Sequence, residues 1–389
     1  MRSLTPRQRL WLIAALAFAT LIKLYLAART HGTTDVDAYT EQLINIREFG
    51  AGTYYIRGAF GNPFNHPPPM LHVLKALGFL ADISGLPFRF WLRLFPTLAD
   101  IGSVMLVAKL LENHKDRFPL LLALALSPIS IIINGYHGNT DCLVITFVLL
   151  AIYLTQCRKS ILLGGVAFGM ACSVKVVPTL FVPAVLLYLP DFRSRVKFSV
   201  AAVGFFLVGS LPYIAQEPTT ILKSVFGYGP IYGSWGIPQL LAIVSTVEYA
   251  HQPYEPLGIH AVVASILKYL TISLICAVSI WMNFRKTRPS LLTQCGIVVS
   301  LFLFLTPGFG PQYLVWLVPF VLALGVREAL AYYCVGGLYL AYKYLGFTES
   351  TASYVWTIGL ILALSCWLMM YIFVRKYIAS VRSEVRQTT

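Results

Sequence analysis

His66 to Gly85 reads HPPPMLHVLKALGFLADISG, and the topology of the whole chain turns on whether this run crosses a membrane or lies along it. It is apolar enough to pass for a span. Counted as one, it inverts every later loop and turns the basic clusters outward. That breaks the rule that cytoplasmic loops carry the excess of Lys and Arg. Laid at the interface instead, with Lys75 and Asp82 at the water boundary, it leaves the clusters on one side. The three prolines at 67–69 suit a helix start, because a first turn leaves its N–H groups without intrahelical partners in any case.

That a membrane is involved follows from composition. Of 389 residues, 57% are hydrophobic and only 12% charged, against roughly 25% charged in a soluble domain. Mean hydropathy is +0.71. Such a chain cannot cover a water-facing surface of its own size, so lipid is its solvent over much of its length. The net charge of +14 does not point to nucleic acid: Lys and Arg fall in short clusters between apolar runs, with no aromatic-basic platform. The seven cysteines are scattered, mostly within apolar runs, with no CxxC pair, and read as small core residues.

Working outward from 66–85, spans are expected near 10–28, 90–111, 118–134, 142–156, 161–174, 176–190, 197–214, 261–284, 290–306, 312–326, 329–346 and 352–374. The fold class is therefore all-α, a polytopic membrane protein with about 12 transmembrane helices plus juxtamembrane helices in the first outer loop. The first apolar run follows Arg2, Arg7 and Arg9 with no small-x-small cleavage site, so it reads as a retained span. With both termini cytoplasmic, that side receives about 18 of the 30 basic residues. The outer side receives a large loop at 29–89 and a second long one at 215–260. The chain reads as one transmembrane domain over 1–389, without a soluble C-terminal domain, repeat or low-complexity segment.

Polar chemistry gathers on the outer side. TTDVDAYTEQLINIREFG at 33–50 sets Leu43, Ile44, Ile46 and Phe49 at near-helical spacing against Glu41, Arg47 and Glu48, an amphipathic helix for the membrane surface. At its start, Asp35 and Asp37 admit two readings: Thr34 or Asp35 caps the helix, or a carboxylate held there is a general base. NGYHGNTD at 134–141 is a glycine-marked turn that clusters His137, Asn139 and Asp141, either a plain loop with Asp141 capping the next helix or part of a site. Lys175 interrupts the apolar ACSVKVVPTLFVP; it either snorkels to the interface or meets an anion such as phosphate. TPGFGPQY at 306–313 breaks the chain at the outer face and sets Gln312 and Tyr313 at the next span. Arg57, His66, Lys223, Tyr228 and Tyr232 also lie in outer loops. Walker A, GxSxG and HExxH motifs are absent.

This arrangement resembles the GT-C superfamily of membrane glycosyltransferases. TDVDAY at 34–39 is similar to the acidic motif in the first luminal loop of the mannosyltransferases of GPI-anchor assembly. HPPP at 66–69 is similar to their Pro-Pro step into the juxtamembrane helix. SPISIIINGYHGNTD at 127–141 resembles their Asn-Pro…Arg-Gly-Asn-Ala-Glu segment, although Tyr136-His137 precede Gly138 where Arg is expected and Asp141 replaces Glu. GMACSVKVVPTLFVP at 169–183 resembles their Gly…Lys-Pro break, and TPGFGPQYLVWLVPF at 306–320 their Gln-Tyr-Phe-x-Trp segment.

The resemblance implies a GT-C fold and an inverting transfer of mannose or a related hexose or pentose. The donor would be a polyprenyl-phosphate-linked sugar and the acceptor a lipid-linked or glycan hydroxyl. It makes Asp35, with Tyr39 four residues on, the general base and Asp37 the runner-up. Lys175 and His137, with Lys223 or Arg57, would face the phosphate. Asn139 and Asp141 would orient sugar or acceptor, with His66, Gln312 and Tyr313 as further substrate contacts. A divalent cation, Mg or Mn, shared by Asp35 and Asp37 stays open. The partners are these lipid-linked substrates and membrane lipids. A secondary transporter or lipid flippase is the rival, for which Asp100, inside a span, is the main acidic candidate. With no terminal KDEL or other targeting signal, a bacterial plasma membrane is favoured over the endoplasmic reticulum.

Overall fold

A computed structural model describes residues 4–50, 64–227, 231–245, 256–286, 288–344 and 353–386. In chain order the helices are α1 (Pro6–Arg29), α2 (Thr34–Phe49), α3 (Pro69–Ser84), α4 (Phe88–Leu110), α5 (Arg117–Ala125), α6 (Pro128–Ile131), α7 (Asp141–Ile152), α8 (Ile161–Val174), α9 (Val182–Tyr188), α10 (Phe192–Ile214), α11 (Pro218–Phe226), α12 (Gly236–Val244), α13 (Gly258–Asn283), α14 (Leu291–Leu305), α15 (Leu314–Leu317), α16 (Val326–Tyr344) and α17 (Ser353–Arg386). Among the described residues there is no strand, only an isolated antiparallel bridge between Tyr232 and Gly308. The protein is a polytopic all-α membrane protein.

Every expected span coincides with a helix or a chain of short helices, but the helices differ in kind. Among the described residues six helical runs are long and apolar enough to cross a membrane alone, and four more, at 141–157, 161–174, 177–188 and 291–305, are apolar but shorter. The run at 176–190 divides into a 3-10 turn, Val177–Phe181, and α9, because Pro178 and Pro183 each remove a backbone donor. The run expected at 312–326 is not one helix. It breaks into a 3-10 turn at Pro311–Tyr313, α15 and a second 3-10 turn at Val321–Leu324.

Packing divides the chain into two compact units, Met1–Thr179 with Asp191–Tyr228, and Leu180–Pro190 with Gly229–Thr389. In the first, α1 opens with a capping box between Thr5 and Gln8, two backbone donors satisfied reciprocally. Its Lys23 is buried and pairs with the buried Asp100 of α4, with Ser130 of α6 accepting a further bond at 3.2 Å. The acidic residue expected inside a span is thus a partner of the first helix. α8 lies close on α10 because Gly165 and Gly169 leave no side chain between them; a methyl at either would strike the backbone of Phe198 or Ala202. Small residues four apart are a common membrane-helix contact.

α2 forms as expected, with one correction to its stripe. Val36, Tyr39, Leu43 and Ile46 make the buried face, and Ile44 is exposed. Residues spaced 3 and 4 apart share a helix face, whereas Ile44 follows Leu43 by a 100° turn. α3 begins at the prolines, with Pro68 as cap and Pro69 in its first turn. Met70, Leu71, Leu74 and Leu77 pack with Val36, Tyr39 and Ile46 into one core.

In the second unit the broken segment keeps its backbone satisfied. Buried carbonyls without partners are costly where no water reaches. Tyr332 and Tyr333 of α16 donate to the carbonyls of Leu314 and Val318, and Tyr377 of α17 to that of Phe320; the latter two bonds are each 2.7 Å. The last turn of α14 is capped by two indoles, Trp235 to the Leu303 carbonyl at 2.7 Å and Trp367 to that of Phe304 at 2.8 Å.

Candidate active site

The first unit brings residues far apart in sequence to one place. α2 begins at Thr34 with Thr33 as its cap residue, so neither Thr34 nor Asp35 is the cap, and Asp35 is free to face outward from the first turn. Its Oδ2 accepts from Asn139 Nδ2 at 2.6 Å and lies 3.2 Å from His137 Nε2. Its Oδ1 makes no hydrogen bond among the described residues, and the side chain is 33% exposed. One oxygen is tethered and the other is open to a ligand.

His137 reaches Asp35 through an unusual local conformation. Residues Ile132–His137 form a π-helix that ends at Gly138 in the left-handed region, φ 78°. A side chain at Gly138 would also meet Val36 at 2.7 Å, so only glycine lets this turn close against α2. The other imidazole nitrogen, Nδ1, lies 2.7 Å from Thr33 Oγ1, and that hydroxyl is 3.2 Å from the His137 carbonyl. Thr33, His137 and Asp35 therefore interlock across the junction of α1 with α2.

Lys175 ends α8 in extended backbone. Its ammonium donates to Asn139 Oδ1 at 3.0 Å and Asp141 Oδ1 at 2.8 Å, with 16% of the side chain exposed. It does not snorkel away from the protein; it closes a chain from Asp141 through Lys175 and Asn139 to Asp35. Asp141 lies at the start of α7 but its carboxylate serves Lys175 rather than a helix cap, and its Oδ2 is buried without a hydrogen bond among the described residues. Two of the three lysine donors are engaged, which leaves one for an anion.

His66 stands behind this chain. Nδ1 is 3.0 Å from the Val174 carbonyl, so it carries the proton, and Nε2 accepts from the Tyr39 hydroxyl at 2.9 Å. Burial, followed by the nearby Lys175 charge, pushes this imidazole down to about 3. His66 is a neutral brace between α2 and α8. For Asp35, burial alone would raise the carboxyl. The facing His137, the Lys175 charge and the Asn139 amide outweigh it and hold Asp35 well below the usual carboxylate range.

Asp37 points to the opposite side of α2 and pairs with His31 at 2.6 Å, both more than half exposed. Residues two apart on a helix diverge by about 200°, so the two carboxylates leave α2 on different faces. Among the described residues no group of three or more His, Cys, Asp or Glu could hold a metal. Gln312 and Tyr313 belong to the second unit, where Tyr313 stacks on Trp316 with ring centres 4.2 Å apart. Tyr232, also there, meets His260 at 3.1 Å. Lys223 is exposed on α11, and Arg57 and Tyr228 lie outside the described residues.

Sequence reasoning missed Thr33 and Arg93. The Arg93 guanidinium is fully buried and donates to the carbonyls of Leu26, Thr30, His31 and Gly135 and to the Thr30 hydroxyl. The signal was an arginine inside an expected span, a placement costly enough to need a reason.

A stretch of 134 residues is 22% identical to GPI mannosyltransferase 1 of Candida albicans, covering 33% of this chain and 33% of that protein. Residues 64–307 match the description of Glycosyltransferase family 87. That match contains His66, Arg93, His137, Asn139, Asp141 and Lys175, while Asp35, Asp37, Gln312 and Tyr313 lie outside it. It spans more than half of an all-helical membrane chain, and the chain belongs to glycosyltransferase family 87.

Proposed function

We propose that the protein is an inverting glycosyltransferase that moves a sugar, mannose or a related hexose or pentose, from a polyprenyl-phosphate donor to a lipid-linked or glycan acceptor at the extracytoplasmic membrane face. The observation that carries this reading is the Asp35 carboxylate, with one oxygen tethered by Asn139 and His137 and the other open. Mannose as the sugar is supported by the likeness to GPI mannosyltransferase 1. A lipid-phosphate sugar brings its own leaving group, so the site needs a base and an anion partner but no nucleotide cradle.

In this reading Asp35 Oδ1 takes the proton of the acceptor hydroxyl as the acceptor oxygen bonds to the anomeric carbon. The bond from that carbon to the phosphate oxygen breaks, and its electron pair leaves with the phosphate. The free donor of Lys175 meets the developing charge. Asp141 and Asn139 hold that ammonium in place, and His137 fixes the orientation of Asp35. His66 serves as a brace through Tyr39 and the Val174 carbonyl. No step is assigned to a divalent cation.

The test is sugar transfer in membranes from a strain lacking the protein, complemented with wild type or Asp35→Asn at matched expression. Labelled polyprenyl-phosphate mannose and polyprenyl-phosphate glucose are supplied separately. Transfer by wild type and a loss of about a hundredfold or more in the mutant is expected, since general-base contributions are typically about 10²–10⁴-fold. No wild-type transfer from either donor would sink the donor assignment; undiminished transfer by the mutant would remove Asp35 as the base.

A further inference from the structure

Among the described residues Arg93 of α4 is the largest cation that is fully enclosed, and no carboxylate faces it. Burying an uncompensated guanidinium costs several kcal/mol on the order-of-magnitude scale for ions taken out of water, so its surroundings must supply the compensation. They are backbone carbonyls. Nη1 donates to Leu26 at 3.1 Å, Thr30 at 3.2 Å and Gly135 at 3.4 Å, and to the Thr30 hydroxyl at 2.9 Å, while Nη2 donates to His31. Leu26 lies in the last turn of α1 and Thr30 is its C-cap, so both carbonyls stand at the negative end of that helix. Gly135 lies in the π-helix that ends at His137.

Two glycines make room for this contact. Gly32, at φ 102°, sits where a methyl would collide with Arg93 Nη2 and lie 2.7 Å from Val36, and a methyl at Gly138 would lie 3.2 Å from Arg93 Cγ. Three chain segments converge on one guanidinium: the turn leading into α2, the end of the π-helix, and α4. Asp35 follows His31 by four residues and His137 follows Gly135 by two.

We infer that Arg93 is a positioning residue for sugar transfer, clasping the Thr30–Thr33 turn to the π-helix so that Asp35 and His137 stay in register. This rests on the reading of Asp35 as the base. Arg93 acts through Asp35 and does not itself reach substrate. A lysine in its place supplies one point of charge and cannot span carbonyls of two segments with a planar fork.

The experiment measures the pH dependence of transfer from about pH 4 to 8, per folded protein, for wild type, Asp35→Asn, Arg93→Lys and Gly32→Ala, with polyprenyl-phosphate mannose and polyprenyl-phosphate glucose as donors. In wild type the tethers keep Asp35 ionised, so no acid limb from it is expected in this range. Arg93→Lys is expected to lose about tenfold or more at neutral pH. It should also gain an acid limb, as the slackened Asp35 moves back toward the ordinary carboxylate range near 4. A loss with the wild-type profile retained means a merely structural role and overturns the inference, as does wild-type activity. Should Arg93→Lys fail to accumulate, Gly32→Ala decides, because it presses on the same contact with Arg93 still in place. The new acid limb supports the clasp and an unchanged profile overturns it. Absence of wild-type transfer, or an active Asp35→Asn, strikes the underlying reading of function instead.

Discussion

Asp35 and Asp37 are two residues apart, yet their surroundings separate them. Asp37 sits in an exposed pair with His31, an arrangement worth at most about 1 kcal/mol. Asp37→Asn is therefore expected to keep activity within about threefold of wild type, against the hundredfold loss for Asp35→Asn, with the transfer assay as the check. His66 gives a second contrast. Its pKa when folded is about 3, below the ordinary value near 6.5. Between those values the unfolded chain binds the proton and the folded protein does not, so stability falls as pH drops from about 6.5 toward 3. Thermal unfolding of purified protein between pH 7 and 5 should show this slope, and His66→Gln should flatten it. At this scale the sequence showed polar islands, TDVDAY and NGYHGNTD, against an apolar background. It did not show that Asp35 bonds Asn139 across 104 positions, because such contacts are set by how helices pack and leave no local period.

Helices were the most legible elements, because apolar runs and proline punctuation mark them directly. What stayed hidden is where a helix is broken or pinned. The segment 311–324 has a span's hydrophobicity, but Pro311, Pro319 and its enclosure by α16 and α17 make it an interior plug held by tyrosine hydroxyls. Tyr333→Phe leaves the Val318 carbonyl without that donor and is expected to cost about 1–2 kcal/mol, read as a lower midpoint in thermal unfolding with little change in transfer chemistry. The Lys23–Asp100 pair joins α1 to α4 in the same hidden way. Lys23→Ala would strand a buried carboxylate at a cost of about 3–5 kcal/mol, whereas the double change Lys23→Met with Asp100→Leu removes both charges and should recover most of it. Equal destabilisation by the single and double variants would count against the pair as the cause.

Over the whole molecule, the order of helices and the clustering of basic residues were readable from composition, and the division into two units was not, because it depends on contacts between distant segments. Orientation can be tested through Cys157, which is exposed next to Arg158 and Lys159. In a variant retaining only this cysteine, a membrane-impermeant maleimide should label it from the cytoplasmic side and leave it untouched in sealed, right-side-out membranes; the reverse pattern would invert the topology. The long helices α10 and α13 turn many apolar side chains outward, among them Val200 and Val208 on one and Val262 and Ile266 on the other. A saturation scan would find those positions indifferent to which oily residue they carry and closed to charge. At Tyr332, Tyr333 and Tyr377 it would find the opposite, a demand for one hydroxyl that greasiness cannot meet. A protein dissolved in lipid brings its own moisture to the places where its backbone is broken, and here three phenols are that moisture.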